Sequence, residues 1–141
     1  MLFQIDAMSR TPVYEQFINQ VETYLLTGIL REGDKLPSVR SLAVELSVNP
    51  NTVQKAMIEL DRRGVITAVP GKGSYIAEGA LDRVRDARRR KGLSEVRELL
   101  NELRLSGITK EELIAVVEEI YRGQENGAAG DTEKGDYHDR S

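Results

Sequence analysis

The sequence contains no cysteine and a single histidine, His138, among its 141 residues. The absence of cysteine excludes disulfides, thiolate metal ligands and cysteine nucleophiles, and it is typical of proteins from a reducing cytoplasm. No apolar run approaches the roughly 18 residues of a membrane-spanning helix. The N-terminus, MLFQIDAMSR, lacks the basic start and apolar block of a secretion signal. We therefore expect a cytoplasmic protein without a membrane partner.

The features of an enzyme are missing as well. The sequence has no cluster of metal ligands, and Gly71-Lys72-Gly73 lacks the strand-to-helix context of a nucleotide-binding loop. The acidic pairs Glu111-Glu112 and Glu118-Glu119 fit exposed helix faces better than a catalytic pair. The sequence therefore predicts a protein that is not an enzyme and that has no cofactor, no metal site and no catalytic residues.

The net charge of −3 is unevenly distributed along the chain. Residues 106–141 carry 4 basic and 9 acidic side chains, residues 80–105 carry 8 and 5, and residues 31–78 carry 7 and 6. An acidic C-terminus therefore masks a body that is not acidic, and the net charge neither requires nor excludes a nucleic-acid partner. The basic run Arg88–Lys91 fits a contact with the DNA backbone and a solvated helix face equally well.

Apolar residues recur at helical spacing in three segments of the first half of the chain. Thr11 and Pro12 begin the first segment, which ends at Gly28, while Ser38 begins the second and Asn49 the third. Serine, threonine and asparagine are preferred N-cap residues, and proline suits the first turn of a helix. Because the second and third segments lie so close together, we expect a tight turn between two helices.

A change of periodicity after Gly64 predicts a β-hairpin. Val65–Val69 and Ser74–Ala77 are β-prone runs, and Pro70–Gly73 between them is dense in turn residues. Three helices and a hairpin, with a tight turn between the second and third helices, are typical of a winged helix-turn-helix. The predicted fold class is mainly α (α+β), with this domain in residues 1–79 and a short two-helix C-terminal region.

The third helix has two faces of opposite character. We expect its apolar residues, which recur at i, i+3, i+4 and i+7, to pack inward: Val53, Ala56, Met57 and Leu60. The opposite face then presents polar groups near the helix start, of the kind that read base edges or bind phosphate: Asn51, Thr52, Gln54 and Lys55. Taken alone, these residues also fit an ordinary helix start with a solvated face. Lys72, between two glycines, similarly fits a DNA-contacting wing tip or a simple tight turn.

A known family shares this arrangement. LPSVRSLAVELSVNPNTVQKAMIELDRRGVI, followed by GKGSYI, resembles the DNA-binding domain of GntR-family bacterial transcriptional regulators over residues 10–78. The Asn-Pro-Asn-Thr stretch and the short C-terminal part resemble the YtrA-like branch of that family. The resemblance implies contacts from the second helix, the start of the third helix and the wing. The predicted DNA-binding residues are Ser38, Arg40, Asn51, Thr52, Gln54, Lys55, Lys72 and Gly73.

Residues 80–122 are predicted to form a helical dimerisation region. Thr109 and Glu112 form a capping box between its two helices, whose apolar stripes are too long to bury against each other completely. We expect a second copy of the chain to cover the stripes, although packing onto the winged domain of the same chain is the alternative. The predicted dimerisation residues are Val96, Leu99, Leu100, Leu103, Leu113, Val116, Val117 and Ile120. Residues 123–141 are predicted to be a disordered acidic tail.

These features together predict a sequence-specific transcriptional regulator. We expect a homodimeric repressor whose two recognition helices bind successive turns of a pseudo-palindromic double-stranded DNA operator. The alternative is a protein-interaction module that uses the winged fold without DNA. A small-molecule effector is compatible with the sequence, but no residue pattern indicates one.

Overall fold

The computed structural model describes the backbone of residues 2–133 and the side chains up to residue 124. The chain divides into two compact units, Met1–Gly92 and Leu93–Ser141. The elements follow in the order α1 (Val13–Thr27), α2 (Val39–Leu46), α3 (Pro50–Arg62), β1 (Ile66–Val69), β2 (Gly73–Ile76), α4 (Ala80–Leu105) and α5 (Lys110–Glu133). This order confirms the predicted fold class, a mainly α protein with an N-terminal winged helix-turn-helix.

The helix starts follow from local capping chemistry. Ser38 caps α2, where its Oγ accepts a hydrogen bond from the Ser41 amide at 3.0 Å, and Asn49 caps α3 through a 2.7 Å bond from the Asn51 amide. Pro12, and not Thr11, is the N-cap of α1, and no side chain caps this helix. The Asn49 bond fixes where α3 begins, and therefore which of its residues share a face.

The core of the N-terminal unit lies where α1, α2, α3 and the hairpin meet. The apolar face of α3 is buried as the sequence predicts, with Val53, Ala56, Met57 and Leu60 all at most 6% exposed. They pack in one cluster with Phe17, Ile18 and Val21 of α1 and Leu42 of α2. Because this face is committed to the core, the opposite face of α3 must point outward.

The hairpin pairs antiparallel, with Ile66 opposite Ile76 and Val69 opposite Gly73. Gly73 therefore begins the second strand, although the sequence pattern assigned it to the turn. Its φ of +121° is one that residues with a side chain rarely adopt, and a Cβ at this position would lie 3.0 Å from Cε of Lys35. The glycine thus serves both the turn geometry and the close approach of Lys35.

The first turns of α4 belong to the N-terminal unit. The Glu32 carboxylate accepts hydrogen bonds from the amides of Gly79 and Leu81 and so caps α4, while Arg83 donates to the Gly64 carbonyl at 2.7 Å. The compact unit accordingly extends to Gly92, past the boundary predicted after residue 79. Local sequence patterns do not reveal these contacts, because each contact joins residues far apart in the chain.

A buried carboxylate on α1 links α3 to α4. Glu22 is only 6% exposed, and its two oxygens accept from Arg63 at 3.0 Å and from Arg88 at 3.2 Å. Arg63 is the C-cap of α3, and Arg88 lies on α4. Arg88, which the sequence left between a DNA contact and a solvated face, is therefore engaged within the protein.

Replacing Glu22 by alanine is expected to lower the free energy of unfolding by about 1–3 kcal/mol. Removing one partner of a buried ion pair leaves the other partner buried without a counter-charge, which is destabilising. Both arginine side chains are more than a third exposed, however, so water can solvate them in the variant. The loss of stability is therefore smaller than for a fully buried pair. Urea denaturation measures the change. Thr23→Ala, at an exposed position on α1, is the matched control and should stay within about 0.5 kcal/mol of the parent. Equal stability of the two variants would contradict this role.

The C-terminal unit contains the second half of α4 and α5. Thr109 and Glu112 form the predicted capping box: the Thr109 amide donates to Oε1 of Glu112 at 2.8 Å, and the Glu112 amide donates to Oγ1 of Thr109 at 3.1 Å. The structure continues α5 to Glu133, so the helix covers part of the segment predicted as a tail. Residues 134–141 of that predicted tail lie outside the described residues.

The C-terminal unit has no apolar core of its own in the region whose side chains are described. Between residues 93 and 124, no residue is buried. Val96, Leu99, Val117 and Ile120 are each more than half exposed, while Leu103 and Leu113 are half-buried. The predicted apolar stripes are therefore present and uncovered in the single chain. Within residues 2–133, moreover, no helix combines the length and the apolar character needed to cross a membrane.

Candidate nucleic-acid interface

The outward face of α3 carries a straight row of exposed side chains. Asn51, Gln54, Ile58 and Arg62 are all exposed and follow one another at intervals of three or four residues, which places them on one face. The side chains of Asn51 and Gln54 make no hydrogen bond with any residue in the described part of the chain. Their amide groups are therefore available to a ligand, and Asn51 stands in the first turn, where backbone N–H groups favour an anion.

The second helix supplies one unpaired cation and one capping hydroxyl. Arg40 is exposed and makes no ion pair or hydrogen bond within the described residues. Ser38 uses its oxygen as an acceptor for the Ser41 amide, which leaves the hydroxyl hydrogen free to donate. Both residues can therefore bind phosphate oxygens, as expected of the helix that crosses the DNA backbone in a helix-turn-helix.

Thr52 and Lys55 are less available than the other predicted residues of α3. Thr52 is half-buried and lies one turn before the buried Ala56, on the flank of the helix that turns toward the core. Lys55 is exposed, but its Nζ lies 4.0 Å from the centre of the Tyr14 ring on α1. Such cation–π contacts contribute about 0.5–1 kcal/mol at exposed sites. These two side chains lie at the edge of the outward face, whereas Asn51 and Gln54 lie within it.

The hairpin brings two lysines to the wing. Lys72 is exposed in the turn, and Lys35 pairs with Tyr75 through an isolated bridge and lies against Gly73. Lys72 and Gly73 were predicted from the sequence, but Lys35 was not, because nothing local connects residue 35 to the hairpin. A second lysine beside Lys72 strengthens the positive charge of the wing.

The C-terminal end of α3 carries a cluster of charges. The Glu59 carboxylate accepts hydrogen bonds from Arg62 and Arg63, and these bonds, rather than the accompanying charge attraction, do most to lower its pKa from 4.5 to about 2. Glu59 therefore remains ionised in mildly acidic solution and holds both arginines. Arg62, on the outward face, keeps 71% of its side chain exposed in this pair, so the cluster adds an accessible positive charge beyond Ile58.

Sequence reasoning missed Ile58 and Arg62 as members of this face. The sequence contained two signs that Ile58 belongs to this face. Ile58 follows Gln54 by four residues and Asn51 by seven, and it falls outside the apolar set Val53, Ala56, Met57 and Leu60. An isoleucine that departs from the core periodicity of a helix must be exposed, and the structure confirms that Ile58 is.

Comparison with known proteins identifies the family to which the N-terminal unit is similar. A family profile described as bacterial regulatory proteins, gntR family, matches residues 13–76, which contain α1, α2, α3 and the hairpin. The HTH-type transcriptional repressor YtrA of Bacillus subtilis (strain 168) is 38% identical over 130 residues, which is 92% of this chain and 100% of the relative. The similarity therefore includes the C-terminal helices as well as the winged domain.

Solved structures agree in fold. A transcriptional regulator from Oenococcus oeni superimposes with a TM-score of 0.72 at 33% identity, covering 83% of this chain and 97% of that one. YtrA from Sulfolobus acidocaldarius, a GntR-family transcription factor, gives a TM-score of 0.53 at 33% identity and covers 67% and 99% of the two chains. Both are similar to this chain well beyond the length of the helix-turn-helix.

Proposed function

The chain belongs to the gntR family of bacterial regulatory proteins and is a DNA-binding transcriptional regulator, and on that premise we propose that it acts as a dimeric repressor of a pseudo-palindromic operator. In this proposal, α3 enters the major groove, α2 and the wing bind the phosphate backbone, and the C-terminal helices join two copies. Repression follows because the bound dimer covers the operator.

The observation that carries this proposal is the row of unpaired polar groups on the outward face of α3. Asn51 and Gln54 carry amides, which match the donor and acceptor edge of adenine in the major groove. Arg40 and Lys72 lie outside that row, and in this proposal they bind the phosphates that flank the groove. The proposed DNA contacts remain those predicted from the sequence, with Thr52 and Lys55 assigned to the edge of the interface.

The proposed dimer rests on the uncovered apolar stripes of the C-terminal unit. Val96, Leu99, Leu100, Leu103, Leu113, Val116, Val117 and Ile120 are proposed to form the interface between two copies. Exposure of so much apolar surface to water is unfavourable. A second copy of the chain, related by a two-fold axis, can cover this surface with an identical one. The same two-fold axis would relate the two α3 helices, as an operator with two half-sites about 34 Å apart, one turn of DNA, requires.

Membership of the family favours this function over a protein-interaction module or an enzyme. The relatives described above are transcriptional regulators, and one of them is a repressor. We propose the cytoplasm as the location, because the operator is found there. If the chain were a module that binds only protein, replacing the amide side chains of α3 would not change binding to DNA. The variants described below test that directly.

Replacing Arg40 by alanine is expected to weaken binding to every DNA sequence about tenfold. The guanidinium would bind a phosphate and carry no base preference, so the slope of log affinity against log salt should fall by about 1 for each half-site. Fluorescence anisotropy with the operator and with a scrambled duplex, between 50 and 300 mM salt, measures both effects. Arg97→Ala removes the same charge from the C-terminal unit and is the matched control. A loss confined to one sequence would instead assign Arg40 to a base.

A further inference from the structure

Ile58 is an apolar residue in the middle of a polar surface. It is 59% exposed, and no other large apolar side chain of α3 is exposed. Asn51 and Gln54 precede it on the same face, and Arg62 follows it. Isolated exposed apolar residues are common on protein surfaces, so the position of Ile58, and not its exposure alone, is the informative observation.

The surroundings of Ile58 leave it accessible from two sides. One shallow groove is lined by Tyr14, Asn51, Lys55 and Ile58, and a second, toward the hairpin, by Gln54, Ile58, Ala68 and Ser74. Ile58 and Gln54 line both grooves, so together they form the ridge between them. A ridge on the outward face of α3 is the part of the helix that goes deepest into a groove of DNA.

Helix geometry allows Asn51 and Ile58 to lie over bases of the same groove when Asn51 lies near one side of it. Seven residues of helix span about 10.5 Å at 1.5 Å per residue, which is less than the major-groove width of about 12 Å. Arg62 lies another turn beyond, at the distance of the flanking phosphates. The spacing therefore lets Ile58 share the base-reading part of the row with Asn51.

We propose that Ile58 reads the C5-methyl group of a thymine in each half-site, an inference that rests on the DNA-binding function proposed above. The thymine methyl is the one apolar group that base pairs present in the major groove, and apolar side chains are its usual partners. A β-branched side chain in a helix has essentially one χ1 rotamer, so Ile58 loses little freedom on contact. Asn51 and Gln54 then select by hydrogen bonding and Ile58 selects by shape.

Thymine-to-uracil substitution tests this contact with single-methyl resolution. The full chain first selects its operator from random duplex DNA. A set of operators is then made in which one thymine position at a time is replaced by deoxyuridine in both half-sites, which removes the methyl and keeps the base pair. For one of these positions, the affinity of the parent protein is expected to fall about fifteenfold, because each of the two lost methyl groups costs about fourfold. Ile58→Ala should bind the unmodified operator correspondingly less well and should lose nothing more at that uracil.

The controls separate this inference from the function on which it rests. Ile29→Ala removes another exposed isoleucine, outside α3, and should retain the parent's affinity and its uracil sensitivity. If Ile58→Ala loses as much as the parent at every uracil, or if no thymine is sensitive, the inference is overturned while the selected operator upholds DNA binding. If the parent selects no sequence at all, the proposed function fails first and the contact fails with it.

Discussion

Replacing Val117 by glutamate is expected to convert the protein from a dimer to a monomer and to lower its operator affinity at least a hundredfold. Val117 is 54% exposed in the single chain and lies on the apolar stripe of α5, so the proposed interface would bury it against the partner. A glutamate there would be desolvated or would prevent association. Linking two half-site contacts raises affinity by about 10²–10⁴, and the monomer loses that gain.

Ala115→Glu is the matched control for this substitution. Ala115 lies two residues before Val117, on the opposite face of α5, and is exposed. Sedimentation equilibrium measures the mass and anisotropy measures operator binding. Ala115→Glu should remain dimeric and bind normally, whereas Val117→Glu should sediment as a monomer with an unchanged melting of the winged domain. A Val117→Glu protein that stays dimeric would place the interface elsewhere.

Replacing Asn51 and Gln54 together by alanine is expected to remove most of the discrimination between the operator and random DNA, leaving only the preference that Ile58 contributes. Each well-placed amide–base contact contributes about 1–3 kcal/mol, and a dimer makes four such contacts. Even at the lower limit the specific affinity falls by about a thousandfold. Non-specific, salt-dependent binding should persist, because Arg40, Lys72 and the other cations are unchanged.

Anisotropy with specific and scrambled duplexes distinguishes this loss from unfolding. Asn101→Ala, on the face of α4 opposite its apolar stripe, removes an exposed asparagine from outside the interface and should leave the ratio of the two affinities unchanged. Circular dichroism should show the double variant folded, since neither side chain is bonded within the described residues. Retention of the parent's preference by the folded double variant would remove α3 from sequence recognition.

The sequence predicted the parts of the fold that depend on local chemistry. The caps at Ser38 and Asn49 and the Thr109–Glu112 box each use residues two or three positions apart, so their spacing alone revealed them. The buried face of α3 was predicted for the same reason, because helical periodicity is a local property. These elements were enough to identify the winged helix-turn-helix.

The contacts that sequence reasoning missed join distant segments. Glu22 bonds to Arg63 across 41 residues and to Arg88 across 66, and a polar residue in an amphipathic helix gives no sign of so remote a partner. The same limit hid the approach of Lys35 to Gly73 and of Tyr14 to Lys55. Composition also misled at the end of α5, where glycines favoured coil and the helix continues to Glu133.

The structure distinguishes among the predicted site residues of α3, which the sequence could not. Sequence and resemblance together named Asn51, Thr52, Gln54 and Lys55 as equals, whereas the structure turns Thr52 toward the core and places Lys55 against Tyr14. The angular position of a side chain around the helix axis decides whether it can reach a groove of DNA. A sequence pattern does not define that angle closely enough to rank neighbouring residues. The resemblance implied a DNA contact at Arg40, and the structure leaves this side chain exposed and unpaired within the described residues.

The central claim is that the outward face of α3 reads DNA sequence. Selection from a random duplex library by the parent chain and by the Asn51→Ala, Gln54→Ala variant, followed by sequencing, tests it most directly. The parent is expected to enrich an inverted repeat with half-sites about one helical turn apart, and the variant is expected to lose that enrichment apart from a weak preference for the thymines that face Ile58. Enrichment of the same repeat by both proteins would contradict the claim.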